Sequence, residues 1–231
     1  MSFSERTNGW SGADQGGGGA YLTGGRLENV LITDCRIGSY SGRGCGLWLE
    51  GEGTVADRCV ITRCFDSSPN ENDRFGAVYI IRKGEMRNSL VCNNRVKGCA
   101  GVYLGPLEGD LHAPTIDPGS MVNCTVVSNA AHDAQSKGFC GGVHVGTGTV
   151  VAKVVNCVIA NNVNEKVALD EKANNFSGNE SGVSHCAAPV AIGSDAVSGD
   201  LGFVDAEGFD WHLKVQSPCR NRGLKETWMS S

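Results

Sequence analysis

The sequence predicts an all-β fold: a right-handed parallel β-helix solenoid of about five to six coils with a C-terminal capping segment. Three observations predict it. A pattern recurs about every 30 residues along the chain. Each unit carries two short apolar strands and no helical periodicity. Asn returns at the same two places in successive units. One unit has too little apolar surface to bury alone, so neighbours must stack. Helical repeats of similar period need long 3.6-residue patterns, which are missing here.

The first strand of each unit reads Gly19-Ala20-Tyr21-Leu22, Gly46-Leu47-Trp48-Leu49, Ala77-Val78-Tyr79-Ile80, Gly101-Val102-Tyr103-Leu104 and Gly142-Val143-His144-Val145. Alternation of side chains turns Ala20, Leu47, Val78, Val102 and Val143 inward, together with Leu22, Leu49, Ile80, Leu104 and Val145. The second strand reads Asn29 to Thr33, Arg58 to Thr62, Asn88 to Cys92, Asn123 to Val127 and Asn156 to Ala160. Its inward files are Ile32, Ile61, Val91, Val126, Ile159 and Val30, Cys59, Ser89, Cys124, Cys157. Its outward file is Leu31, Val60, Leu90, Thr125, Val158, an apolar stripe that a neighbouring loop is expected to cover.

Asn29, Asn88, Asn123 and Asn156 precede the second strand. Asn94, Asn129 and Asn162 follow it, with Cys35 and Cys64 in their place in the first two units. Asn tolerates a left-handed bend and bonds locally. Stacked copies can also bond to one another, so both files are read as a structural ladder. The organisation expected is a leader over 1–15, coils over 16–162, a loop and partial coil over 163–198, and a cap over 199–231. The cap is expected to cover the open end of the core.

Composition narrows the function classes. Gly is 33 of 231 residues and Pro only 6, which suits short strands and tight bends. The net charge of -5 lacks the clustered Lys and Arg that nucleic-acid binding needs. No apolar run is long enough to span a membrane, and the first twenty residues hold no signal-peptide core. The 11 Cys include no C-x-x-C pair, which weakens zinc and thioredoxin readings. Cys59, Cys124 and Cys157 read as stacked buried thiols, and Cys99 and Cys140 occupy equivalent turns where pairing is conceivable. His112, His132, His144, His185 and His212 form no ligand-spaced cluster, so no metal site is expected. Asn123-Cys124-Thr125 fits a glycosylation sequon by chance.

The repeats from Gly17-Gly18-Gly19-Ala20-Tyr21-Leu22 to Asn156-Cys157-Val158-Ile159 resemble bacterial right-handed β-helix repeat proteins of the pectate-lyase-like superfamily. The ending Gly199 to Asp205, Trp211-His212-Leu213 and Ser217 to Gly223 resembles the terminal region of the choice-of-anchor Q type. The resemblance covers roughly residues 16–223. It implies an internal piece of a longer secreted or cell-surface protein, monomeric, without a cofactor unless it is a lyase, which would take calcium.

The candidate ligand-binding residues are the outward file of the first strand: Tyr21, Trp48, Tyr79, Tyr103 and His144. Aromatic faces one coil apart can stack on sugar rings; the plainer reading is that they stack on each other and shield the sheet. No catalytic residue is assigned. Glu28 and Asp57 share an outward file with Arg87, a thin basis for a calcium site beside a base, since calcium takes six to eight oxygens. The expectation is a non-catalytic module that binds carbohydrate or surface polymers along an outer sheet face. The alternatives are a calcium-assisted polysaccharide lyase or epimerase acting on uronate polymers, and a structural stalk.

Overall fold

The structure, a computed structural model, describes residues 18–37, 44–66, 76–106, 116–132, 140–146, 150–220 and 222–225. The leader 1–15, Gly17, His112 and Asn221 lie outside them. The chain folds as a right-handed parallel β-helix, and each coil contributes to four stacked parallel sheets rather than two.

Sheet I stacks Ala20–Leu22, Leu47–Glu50, Val78–Ile81, Val102–Leu104, Val143–Val145 and Phe176–Gly178. Sheet III holds the second strands, from Leu31–Thr33 to Val158–Ala160, and continues through Ala187–Ala188 and Val197–Ser198. Sheets II and IV were not visible in the sequence pattern. Sheet II runs from Gly25–Glu28 to Val183–Ser184, and sheet IV from Arg36–Ile37 to Val163–Asn164. Their strands have two to four residues, too few for alternation to register.

Stacking is in register. Leu47 pairs with Val78, Trp48 with Tyr79 and Leu49 with Ile80, and Val91 lies between Ile61 and Val126. The inward files form one continuous core with Leu47, Val78, Val102, Val143, Ile61, Val91, Val126 and Ile159 fully buried. Cys59, Cys124 and Cys157 join it, and sheet II adds Ala56, Met86, Met121 and Val154.

Two corners bracket each of the first five sheet III strands. At the first, Asn29, Arg58, Asn88, Asn123 and Asn156 take φ of 50 to 58°. At the second, the left-handed residue is Asp34, Arg63, Asn93, Ser128 or Asn161, one position before the predicted Asn94, Asn129 and Asn162. Those three therefore do not make the bend; they turn inward and are 0 to 5% exposed. Exposed corner side chains pair between coils. Arg63 hydrogen-bonds Asp34 at 2.7 Å and holds its carboxyl down at about 2.

Glycine opens the first strand because neighbouring coils approach closely there. A Cβ on Gly101 would stand 2.4 Å from the Gly142 carbonyl oxygen and 2.8 Å from Val126. Gly101→Ala is expected to lower stability by about 1–3 kcal/mol through overpacking, read as a lower urea midpoint at unchanged slope.

Residues 163–198 hold more structure than a loop and partial coil. A short helix, Glu171–Asn175, leads into Phe176–Gly178, and these residues complete a sixth coil. The cap also differs from expectation. The end of the core is filled by Ile192, fully buried beside Val183 and Ala188. Residues 201–219 instead fold back as a strap along the outer face of sheet III. Leu201, Phe203, Trp211 and Cys219 pack there on Leu90, Cys92, Val127, Val158 and Ala160. The strap contains an antiparallel hairpin, Phe203–Asp205 with Asp210–Leu213, and beyond it Leu224 exchanges hydrogen bonds of 2.6 and 2.7 Å with Asn156. The outward stripe is thus covered by a neighbouring segment over its later coils, as expected, while Leu31 remains half exposed.

Candidate functional site

The outward file of sheet I is one continuous stack. Ring centroids lie 4.4 Å apart for Tyr21 and Trp48, 5.6 Å for Trp48 and Tyr79, 5.7 Å for Tyr79 and Tyr103, and 4.6 Å for Tyr103 and His144. Four of its five members are buried: Trp48, Tyr79, Tyr103 and His144 are at most 3% exposed, against 46% for Tyr21. Trp48, Tyr79 and Tyr103 form a second core with Ile81, Cys99 and Cys140, against which Ile116 packs. Polar tips turn to the protein: Tyr21 donates to Glu50 at 2.7 Å, Tyr103 to the Pro106 carbonyl at 3.3 Å, and His144 Nδ1 meets Ser177 Oγ at 2.8 Å. Tyr21 is the one member with substantial exposure.

The Glu28–Asp57–Arg87 file is a knot of ion pairs. Arg26 and Arg58 contact Asp57 and Glu28, and Arg87 Nε stands 3.8 Å from Asp57 Oδ2. Asn88 donates to Asp57 Oδ1 at 2.9 Å. Both Asp57 oxygens thus face donors or cations, which leaves poor access for a calcium ion. Among the described residues no group of three or more His, Cys, Asp or Glu is placed to hold a metal.

The cysteines are free thiols in the structure, buried except for half-buried Cys219. Cys99 and Cys140 face each other across adjacent coils with sulfurs 3.9 Å apart. Burial pushes the Cys99, Cys59 and Cys157 thiols up, so they stay protonated, the form least able to attack or to bind metal.

Both Asn files form hydrogen-bonded ladders. In the buried file Asn94 Nδ2 donates to Asn129 Oδ1 at 2.9 Å and Asn129 Nδ2 to Asn162 Oδ1 at 3.0 Å. Each Oδ1 also receives a backbone N–H from the preceding coil, from Cys64, Asn94 and Asn129 in turn. Asn175, unforeseen from sequence, adds a further rung at 2.9 Å. In the outer file Asn123 donates to Asn88 and Asn156 to Asn123, at 3.1 and 3.0 Å. Asn29 stands apart from that chain and accepts from Arg58 Nε at 3.0 Å.

The outer ladder borders an open cleft of about 380 Å³ between sheet III and the tip of the hairpin. Its floor is the apolar stripe Val60, Leu90 and Thr125, one edge is Arg58, Asn88 and Asn123, and the overhanging wall is Phe209 to His212. Phe209 is 61% exposed and takes a φ of 62°, a conformation uncommon for a bulky side chain. Trp211 packs edge-on to Phe203 and lies 6.3 Å from the Phe209 ring. Asp210 accepts from the His212 backbone at 3.0 Å and meets its Nδ1 at 2.5 Å. These two contacts hold the Asp210 carboxyl below its ordinary value. A second depression of about 420 Å³ is lined by Phe203, Leu201, small side chains such as Ala160 and Ala206, and the carboxylates Glu171 and Asp200.

No protein-family model, curated protein or solved structure matches this chain. The cleft is therefore read from its own residues. The sequence placed Trp211 and His212 only in a closing segment and gave Phe209 no role. The available signal was an aromatic after Glu207-Gly208, a turn sequence where an exposed ring serves no core.

Proposed function

We propose that the chain is a non-catalytic β-helix module of a secreted or cell-surface protein, of the pectate-lyase-like and choice-of-anchor Q kind, and that it binds carbohydrate in the cleft beneath the hairpin. The observation that carries this reading is Phe209. A large apolar ring is held in solvent, at a left-handed backbone position, over a groove edged by amides and a guanidinium. Such strain concentrates at ligand clamps because nothing in folding rewards it, and an exposed ring beside hydrogen-bonding groups matches the two faces of a sugar. The binding surface is an outer sheet face, as the sequence suggested, but that of sheet III. The engagement of Asp57 by arginines supports binding without catalysis.

Affinity electrophoresis through gels cast with a polysaccharide panel tests the proposal. The wild type is expected to be retarded by at least one polymer. Phe209→Gly is expected to lose the retardation while its melting temperature stays level or rises, because glycine relieves the left-handed strain. A wild type that runs freely through every gel rejects the reading. On uronate polymers with calcium, no absorbance from unsaturated products is expected.

A further inference from the structure

We infer that the cleft selects a neutral, hydroxyl-rich sugar and rejects uronates and other anionic saccharides. This rests on the carbohydrate reading above and follows from where the cleft's charges are already engaged. Arg58 is the cation on its edge. Its Nε donates to Asn29 at 3.0 Å, and its terminal nitrogens face Glu28 and Asp57. The amides of the same edge each spend one of their two N–H donors inside the protein: Asn88 Nδ2 on Asp57 at 2.9 Å, and Asn123 Nδ2 on Asn88 at 3.1 Å.

What the cleft still offers is neutral hydrogen-bonding capacity, donors and acceptors alike, beside one carboxylate. The amide oxygens of Asn88 and Asn123 each accept one bond along the ladder and keep a second lone pair. The Thr125 hydroxyl lies on the floor. Across from them stands Asp210, whose Oδ1 takes both His212 contacts, leaving Oδ2 for a ligand. His212, the other cation when protonated, is turned to this carboxylate at 2.5 Å with 90% of its side chain exposed, so its charge offsets Asp210 before it reaches a guest. An anion entering the cleft meets the Asp210 carboxylate, and each cation there, Arg58 and His212, already faces a carboxylate of the protein, an arrangement that costs affinity. Sugar hydroxyls donate to these acceptors, and the C–H face of a pyranose rests on Phe209. The volume sits at the small end of ligand clefts, about 300–1,000 Å³, and the site is open, which suits a short stretch of a chain.

Isothermal titration of the intact chain with neutral oligosaccharides (gluco-, manno-, galacto- and xylo-oligomers) and with oligogalacturonate and oligoalginate tests the inference. Binding of at least one neutral series and none of the uronates is expected. Asp210→Asn is expected to weaken the neutral ligand by about tenfold or more, as for loss of a charged hydrogen-bond partner. Phe209→Gly is expected to abolish the binding. Tighter binding of a uronate than of every neutral series overturns the selectivity and leaves the carbohydrate reading standing. Neutral binding that survives Phe209→Gly places the site elsewhere and overturns the inference. Heat from none of the saccharides overturns both.

Discussion

Asn129→Ala is expected to destabilise the chain by about 4 kcal/mol, because buried hydrogen-bonding groups left without partners cost about 1–3 kcal/mol each and a small cavity adds to them. Asn129 is fully buried. Its Oδ1 accepts the Asn94 backbone N–H at 3.2 Å and the Asn94 amide at 2.9 Å, and its Nδ2 donates to Val91 and Asn162, both at 3.0 Å. Water cannot replace these bonds without opening the core. Small domains have total stabilities of about 5–15 kcal/mol, so the loss is a large part of the whole. The control is Asn123→Gly. Asn123 belongs to the half-buried outer file and has a φ of 55°, which glycine adopts freely. Its loss is expected to cost under about 1 kcal/mol, the net worth of an ordinary solvent-accessible hydrogen bond. Equal urea midpoints for the two variants would refute the distinction between the files.

Tyr79→Ala is expected to cost about 3–5 kcal/mol, the usual range for truncating a fully buried aromatic. The ring is 0% exposed and sits between Trp48 and Tyr103, so its removal leaves a void in the middle of the stack. Chemical denaturation measures the loss. The same variant separates the two surfaces considered for ligand. If the sheet I stack were the binding face, truncating Tyr79 would weaken carbohydrate retention at little cost in stability. In the arrangement found, stability falls, and the fraction that remains folded keeps its retention.

The sequence was most legible where side chains repeat at fixed spacing. Files such as Ile32, Ile61, Val91, Val126 and Ile159 share one inward column because parallel in-register stacking puts equivalent residues over each other. The outward alignment of Tyr21 to His144 was legible for the same reason. Its burial was not, since alternation tells which side of a sheet a residue takes and nothing about what lies over that side. The bend at Asn93, Ser128 and Asn161 was misplaced by one residue because the neighbouring Asn ladder gives the louder signal. Asn175 escaped notice because it follows Asn162 by 13 residues, not about 30, with the short helix delivering it to the ladder. The cleft was the least legible part. It joins Val60 and Leu90 to residues far along the chain, and only the fold-back of the strap brings Phe209 to them.

The amide ladders also carry a direction. In the buried file every Oδ1 turns toward the lower-numbered coil to receive a backbone N–H there, and each NH2 splits its two donors between a carbonyl of that coil and the next Asn toward the C-terminal end. In the outer file Asp57 can only accept, which forces the Asn88 NH2 toward the N-terminal end, and Asn123 and Asn156 follow suit. Amide-to-amide donation therefore runs toward the C-terminal end in the buried column and toward the N-terminal end in the outer one. The rod keeps two side-chain ladders of opposite sense. A lone carboxylate sets the sense of one, and the backbone sets the sense of the other.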